Sequence, residues 1–212
     1  MSRLVRGYLS TPETQLGTLR PMASQQEEHT RADALRNRAA LLDAAADVLA
    51  VTPGASLSEV ATRAGLGRAT LYRHFENRDA LRAAIREEAL TRAGDALAGA
   101  DLASCDTREA ISRAAAVLVP LGMRFRILLT EGADTDADFL AARTLALSPL
   151  WAVLDRGARA GELSRTPSTA WLGLVLAGLL VTAARAAATG LIEPAEAGDL
   201  VADTFLDGFG SG

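Results

Sequence analysis

Residues 56–81, SLSEVATRAGLGRATLYRHFENRDAL, decide the fold of this chain. Ser56 and Glu59 stand three residues apart, so each side chain can accept a hydrogen bond from the other's backbone amide, and this capping box predicts that a short helix begins here. Gly65 is expected to end that helix, because glycine adopts the left-handed cap conformation without steric cost. After a tight turn, a second short helix is predicted over about residues 68–75. Two short helices joined in this way form a helix-turn-helix.

The second short helix carries side chains suited to reading DNA. Arg68 at its start can donate a fork of hydrogen bonds to guanine, Thr70 can meet a base or a thymine methyl group, and Arg73 can reach a base or a phosphate. The second helix of a helix-turn-helix enters the major groove. The sequence therefore predicts double-stranded DNA as a partner.

Long helices flank this unit. A first helix is predicted over about residues 31–50, where apolar residues recur at spacings of four and three: Leu35, Ala39, Leu42, Ala46 and Leu49. The turn at 52–54 stops it, since it contains proline and glycine. Asn77 is expected to cap a longer helix that runs from residue 78 to about residue 100.

The rest of the chain also has helical patterns. Residues with high strand propensity are sparse, so an all-α fold of about nine helices is predicted. The segment 169–190 is apolar on nearly every side and is interpreted as a buried helix rather than a membrane span, because Gly and Thr interrupt it. The last helix is expected to begin near Pro194. One further helix is predicted through Leu140, Thr144, Leu147, Trp151 and Leu154.

Three segments follow from these patterns. We expect a mobile N-terminal extension over 1–28, a three-helix DNA-binding domain over 29–76, and a helical bundle over 77–212 for ligand binding and dimerisation. For the extension, a basic arm that touches DNA and a start-site artefact both remain open. Met22 is an alternative start, so residues 1–21 are not assigned to the native protein.

Charge is distributed unevenly along the chain. The formal net charge is −4, and all 22 basic residues are arginine. Residues 31–92 carry ten Arg and eight acidic residues, whereas residues 93–212 carry nine Arg and fifteen acidic residues. The basic front end permits a DNA partner. The single Cys105 and the lack of a secretory signal favour a cytoplasmic protein.

The residues that most enzymes need do not occur in a recognisable pattern. There is no paired Glu-x-x-His, no HExxH, no Gly-rich phosphate loop, and no Ser or Cys beside a His. The only histidines are His29 and His74, both in the front third. We therefore expect no enzyme, no cofactor and no metal site.

The stretch 56–81 resembles the DNA-binding signature of the TetR family of regulators. The resemblance rests on the capped leading helix, the Ala-Gly turn, the aromatic pair in LYRHF and the basic residue that follows, Arg78. It is strong over roughly residues 31–90. Beyond these, only the run of helices and the ending ADTFLDGF are similar.

The resemblance implies roles for individual residues in DNA binding. The residues that would bind phosphates or support the groove helix are Thr70, Tyr72, His74 and Arg78. Those that would face bases are Arg68, Ala69 and Arg73, and the basic positions of the first helix that would approach DNA are Arg36 and Arg38. Gly67 departs from the pattern, because the family commonly has Ser or Thr there as a cap and phosphate contact.

A homodimer is expected, because one helix-turn-helix buries little surface on DNA and specific sites are usually read by two copies. The resemblance implies that the last two helices form a four-helix bundle across a two-fold axis. The alternative is that 169–190 is a central core helix of one protomer. The predicted interface residues are Leu172, Leu176, Leu179, Leu200, Val201, Thr204 and Phe205.

A ligand pocket is expected among the middle helices. The nominated apolar lining is Met123, Phe125, Trp151 and Trp171, and the nominated polar anchors are Arg126, Arg143 and Arg185. Such a lining suits an apolar or mildly anionic compound. For each aromatic residue, a plain core position is the alternative.

Together these features predict a repressor that binds a palindromic operator as a homodimer and is released by a small-molecule inducer. The alternative is a helical DNA-binding or adaptor module without a ligand response.

Overall fold

The computed structural model describes residues 38–125, 137–164 and 168–210. Arg38–Gly212 forms one compact unit. The described residues contain an isolated bridge between Leu163 and Gly210 but no named strand, and the predicted all-α fold is confirmed. The helices are 38–51 (α1), Leu57–Arg63 (α2), Arg68–His74 (α3), Arg78–Gly99 (α4), Thr107–Arg124 (α5), Ala137–Ala146 (α6), Ser148–Ala160 (α7), Thr169–Ala188 (α8) and Ala197–Phe209 (α9).

Local hydrogen bonds fix both ends of α2. The backbone N–H of Ser56 donates to Oε2 of Glu59 over 2.8 Å, and the N–H of Glu59 donates to Oγ of Ser56 over 3.2 Å. At the other end Gly65 has a φ of +68°, and the N–H of Leu66 donates to the carbonyl of Ala61 over 2.8 Å. This is the closing pattern of a Schellman motif. The predicted capping box and left-handed glycine are both confirmed.

Helix α4 joins two hydrophobic clusters. Its start is capped as predicted, because the N–H of Ala80 donates to Oδ1 of Asn77 over 2.8 Å. The first cluster fills the space between α1, α2, α3 and the front of α4, where Leu81 and Ile85 are fully buried. The second cluster is built from α5, α7, α8 and α9, and Leu97 near the end of α4 belongs to it. A single helix therefore contributes side chains to both cores.

The helix predicted through residues 140–154 is two helices. Helices α6 and α7 meet at a bend of 62°. Leu147 lies between them and is the N-cap of α7. The first turn of α7 contains a proline, Pro149. Proline lacks an N–H and its ring clashes with the carbonyl four residues earlier, so α6 cannot continue through it. Likewise α9 begins at Ala197, after a turn that contains Pro194.

Helix α8, predicted to be buried, is buried within the protomer on one side only. By length and composition this helix could cross a membrane, but in this fold it packs against α5, α7 and α9. Only 33% of its most apolar window is buried in the protomer, and Trp171 and Leu174 are 54% and 61% exposed. A helix apolar on all sides thus has one face in the core and leaves another uncovered.

Candidate DNA-binding interface and ligand cavity

Helix α3 is anchored by its apolar residues and presents its polar ones. Leu71 is fully buried in the first cluster, and Phe75, which ends the helix, is buried beside it. The remaining side chains point outward: Arg68, Ala69, Tyr72, Arg73 and His74 are exposed and Thr70 is half-buried. The structure therefore brings the residues predicted on this helix to one solvent-facing surface, which we call the recognition face.

The recognition face is positively charged. Helix α3 contains no acidic residue. Within the described ranges, Arg68 and Arg73 have no ion-pair partner in the chain. Tyr72 is 52% exposed. Two unpaired guanidinium groups and an exposed phenol form a surface able to contact phosphates and base edges.

Gly67 caps α3 without a side chain. It has the extended conformation of an N-cap residue, with φ −64° and ψ 127°, and α3 has no side-chain cap hydrogen bond. A Cβ at this position would lie 3.3 Å from Oγ1 of Thr70. The first amides of α3 are consequently left to solvent or to a bound partner.

Two other predicted DNA contacts have partners within the chain. The guanidinium of Arg78 donates to the carbonyl of Pro53, which ties the start of α4 to the turn after α1. Nη2 of Arg38 lies 3.9 Å from Oε2 of Glu87 on α4. Arg36 lies outside the described residues.

A cavity of about 150 Å³ lies between α4, α5, α6 and α8. Of the nominated residues, Phe125 and Arg143 line it. Arg143 is the only charged side chain among the described residues of its wall. The wall also includes residues that the sequence analysis did not nominate, among them Leu118, Leu121, Phe139, Ala177 and Leu180. They lie on apolar helix faces, and a single sequence has no signal that separates a cavity wall from a filled core.

A larger groove of about 710 Å³ runs between α4 and α6. Leu90 and Phe139 line both the groove and the smaller cavity. The guanidinium of Arg86 lies over the ring of Phe139, 5.7 Å from its centroid. The groove is therefore next to the cavity, and together they have the size of a small-molecule site.

The other nominated pocket residues lie elsewhere. Met123 is half-buried against the second cluster, and Trp151 packs against Gly173 of α8. Trp171 and Arg185 are exposed on α8. For Trp151 the alternative of a plain core position agrees with the structure. Arg126 lies outside the described residues.

The predicted dimer interface needs a correction, because four of its residues face inward. The side chains buried in the second cluster of the protomer are Leu172, Leu176, Val201 and Phe205. A side chain that is surrounded on all sides by its own protomer has no surface left to contact a partner. Leu179 is half-buried, whereas Leu200 is 47% exposed and Thr204 is exposed. The exposed apolar side chains of the two helices are Trp171 and Leu174 on α8 and Leu200 on α9, which we call the open apolar face.

Comparison with known proteins agrees with this architecture. The family model for bacterial regulatory proteins of the tetR family matches residues 41–85. The HTH-type transcriptional repressor LfrR of Mycolicibacterium smegmatis is 50% identical to this chain over 52 residues, which are 24% of this chain. That match spans only 28% of the length of LfrR.

Solved structures extend the likeness over most of the chain. The crystal structure of the TetR-like regulator LfrR from Mycobacterium smegmatis in complex with proflavine has a TM-score of 0.69 at 27% identity, and the match covers 82% of this chain and 96% of LfrR. A TetR family transcription regulator from Marinobacter aquaeolei VT8 has a TM-score of 0.66 at 21% identity, with 87% and 100% covered, and shares the fold. The segment that carries the two short helices thus matches the tetR family of bacterial regulatory proteins, and the fold is similar to that of the TetR-like regulator LfrR.

Proposed function

We propose that this protein is a transcriptional repressor that binds a palindromic operator as a homodimer through α3 and is released by a small-molecule inducer. The observation that carries the proposal is the recognition face, where Arg68 and Arg73 are exposed without an ion-pair partner among the described residues. These two exposed charges and the neighbouring Tyr72 contribute little to the stability of the protomer. On DNA the same groups gain charge-assisted hydrogen bonds.

Dimerisation is supported by the open apolar face. Trp171, Leu174 and Leu200 expose large apolar side chains on neighbouring helices, and burying such surface against a second copy is favourable by about 25 cal/mol per Å². A pair of α8–α9 hairpins related by a two-fold axis would cover this face. The same arrangement would present two α3 helices to successive turns of the major groove, about 34–36 Å apart.

The ligand response is assigned to the cavity and the adjoining groove. The described wall of the cavity is apolar apart from Arg143, whereas the wall of the groove also contains Arg86, Glu87 and Asp138. LfrR was solved in complex with proflavine. The preferred inducer is therefore assigned as a largely apolar small molecule that fills the cavity.

Inducer and operator would then compete by linkage. If the liganded dimer holds its two α3 helices at a separation unsuited to DNA, inducer and operator must each weaken the binding of the other by the same factor. Helix α4 is suited to carry that change because it contributes to both hydrophobic clusters.

Selection of bound duplexes from a random oligonucleotide pool tests the proposal. We expect a palindromic site with half-sites one helical turn apart, bound with an affinity that falls steeply as salt rises. Recovery of no preferred sequence would contradict it. Anionic and cationic apolar compounds can then be screened for release of the selected duplex.

An adaptor or DNA-binding module without a ligand response is the second candidate, and it predicts a different result in that screen. Such a module would keep its affinity for the selected duplex whatever fills the cavity. No feature of the described residues favours it over the repressor.

A further inference from the structure

Phe125 is one of the side chains that the cavity shares with the cluster of the DNA-binding helices. This residue follows the last turn of α5, and its ring is fully buried. It lines the cavity and also belongs to the first hydrophobic cluster, with α1, α2 and α3. Leu121, one turn earlier, likewise lines the cavity and packs against the first cluster. A ligand in the cavity would therefore touch the same groups that support the helix-turn-helix.

A cation lies over the ring of Phe125. The guanidinium of Arg92 on α4 is 5.3 Å from the ring centroid, within the range of a cation–π contact. Its Nη1 lies 2.9 Å from Oδ1 of Asp43 on α1, and its Nε donates to Oε1 of Glu88 over 2.9 Å. Burial alone would lower the pKa of Arg92, but Glu88 and Asp43 outweigh it and the pKa is raised. Two carboxylates thus hold Arg92 between the ring and α1.

A second arginine ties the end of α5 to the same carboxylate. Nη2 of Arg124 lies 2.8 Å from Oδ2 of Asp43. Asp43 is only 19% exposed, so its two ion pairs are less screened than those on an open surface. One carboxylate of α1 therefore binds a side chain from α4 and another from the end of α5.

We propose that Phe125, Arg92 and Asp43 form a relay through which occupation of the cavity displaces α1 and lowers operator affinity. The inference rests on the proposed function. Protein interiors are close-packed, so a molecule larger than the cavity must move its wall. Moving the ring of Phe125 disturbs Arg92, and moving the end of α5 pulls Arg124, and both changes act on Asp43. The three are positioning residues, since none contacts DNA in this proposal.

The relay can be tested without the natural inducer by tethering groups inside the cavity. Ala177 lines the cavity wall on α8. In a Cys105→Ser background, Ala177→Cys is modified with methanethiosulfonates that attach methyl, propyl or benzyl groups. The dissociation constant for the selected duplex is measured for each. We expect the benzyl group to weaken binding at least tenfold.

The decisive comparison is the same series in an Asp43→Asn background. Asparagine keeps the shape of Asp43 but removes the charge that holds Arg92 and Arg124, so the tethered benzyl group should change duplex affinity less than twofold. Asp47→Asn, on the exposed side of α1, should leave the tenfold response intact. Ala152→Cys on the exposed side of α7 is the labelling control and should give no response. Thermal unfolding of every labelled protein confirms that it is folded.

Each outcome decides a different point. An equal loss of affinity in the parent and in Asp43→Asn would overturn the relay and leave the proposed function standing. No effect of any tethered group in the parent would overturn the relay as well. Failure of the unlabelled parent to bind any duplex would overturn the proposed function, and the relay with it.

Discussion

Gly173 on α8 lies directly beneath the indole of Trp151 on α7, so that a Cβ at Gly173 would fall 1.6 Å from Cζ3 of the ring. No real Cβ approaches a carbon so closely. The glycine is therefore required by the packing of α7 against α8, on which both the cavity and the open apolar face depend.

Replacing this glycine is expected to be severe. Gly173→Ala should lower the free energy of unfolding by about 1–3 kcal/mol, because the bulky ring must leave its position. Gly94→Ala is the matched control within α4, where a Cβ would make an ordinary 3.7 Å contact with the carbonyl of Ala146. It should gain about 0.5–1 kcal/mol from helix propensity. Chemical denaturation measures both, and equal stabilities would contradict the packing.

The open apolar face makes a prediction about oligomeric state. Leu174→Glu and Leu200→Glu should each raise the dimer dissociation constant at least tenfold by placing a charge where apolar surface is buried. Leu145→Glu, at a position 75% exposed on α6, is the matched control and should leave the dimer intact. Sedimentation velocity measures all three. Dimers unchanged in both face variants would remove the proposed interface.

The bare N-cap of α3 can be improved. Gly67 has a φ of −64°, which any residue adopts, so Gly67→Ser introduces no backbone strain. The serine hydroxyl should accept a hydrogen bond from a backbone N–H in the first turn of α3. This should raise the free energy of unfolding by a few tenths of a kcal/mol. It should also tighten operator binding by up to about tenfold through a phosphate contact. Gly67→Ala adds the same Cβ near Thr70 but no hydroxyl, so the difference between the two variants is the effect of the hydroxyl. Equal operator affinity in Gly67→Ser and Gly67→Ala would contradict a phosphate contact at this position.

The capping box makes a prediction about pH. The backbone amide of Ser56 and then its hydroxyl hold the pKa of Glu59 below its ordinary value. A carboxyl with a lowered folded-state pKa stabilises the folded protein at pH above its unfolded pKa, and that contribution is lost as the pH falls through the folded value. In Ser56→Ala the pKa of Glu59 should rise only part of the way to its ordinary value, because the backbone amide of residue 56 still donates to the carboxylate. NMR titration of Glu59 measures this, and an ordinary pKa in the parent would contradict the capping box.

Much of the DNA-binding end was predictable because its signals are local. A serine and a glutamate three residues apart, a glycine at a helix end and an asparagine before a helix act on backbone groups within a few residues. Each produces the same structure in most contexts. The capped α2, the left-handed Gly65 and the start of α4 follow from such signals.

The bundle was less predictable because its decisive features are not local. A helix apolar on all sides gives no clue to which side meets its own protomer, and so Leu172 and Phe205 were assigned to an interface although they fill the core. The regular apolar spacing across Leu147 concealed the break that Pro149 imposes. Phe125 was nominated for the cavity by its type alone, and its second contact, with the cluster around α1, depends on where α5 ends.

The central claim is that α3 reads DNA through Arg68 and Arg73. Measuring the affinity and selectivity of an Arg68→Ala, Arg73→Ala double variant for the selected duplex tests it most directly. Arg108→Ala, Arg159→Ala removes the same charge from α5 and α7 and is the control. The account predicts that the α3 variant loses about 2–6 kcal/mol of specific binding and its preference for the selected sequence, while the control keeps both. Binding by the α3 variant as tight and as selective as that of the parent would contradict the account.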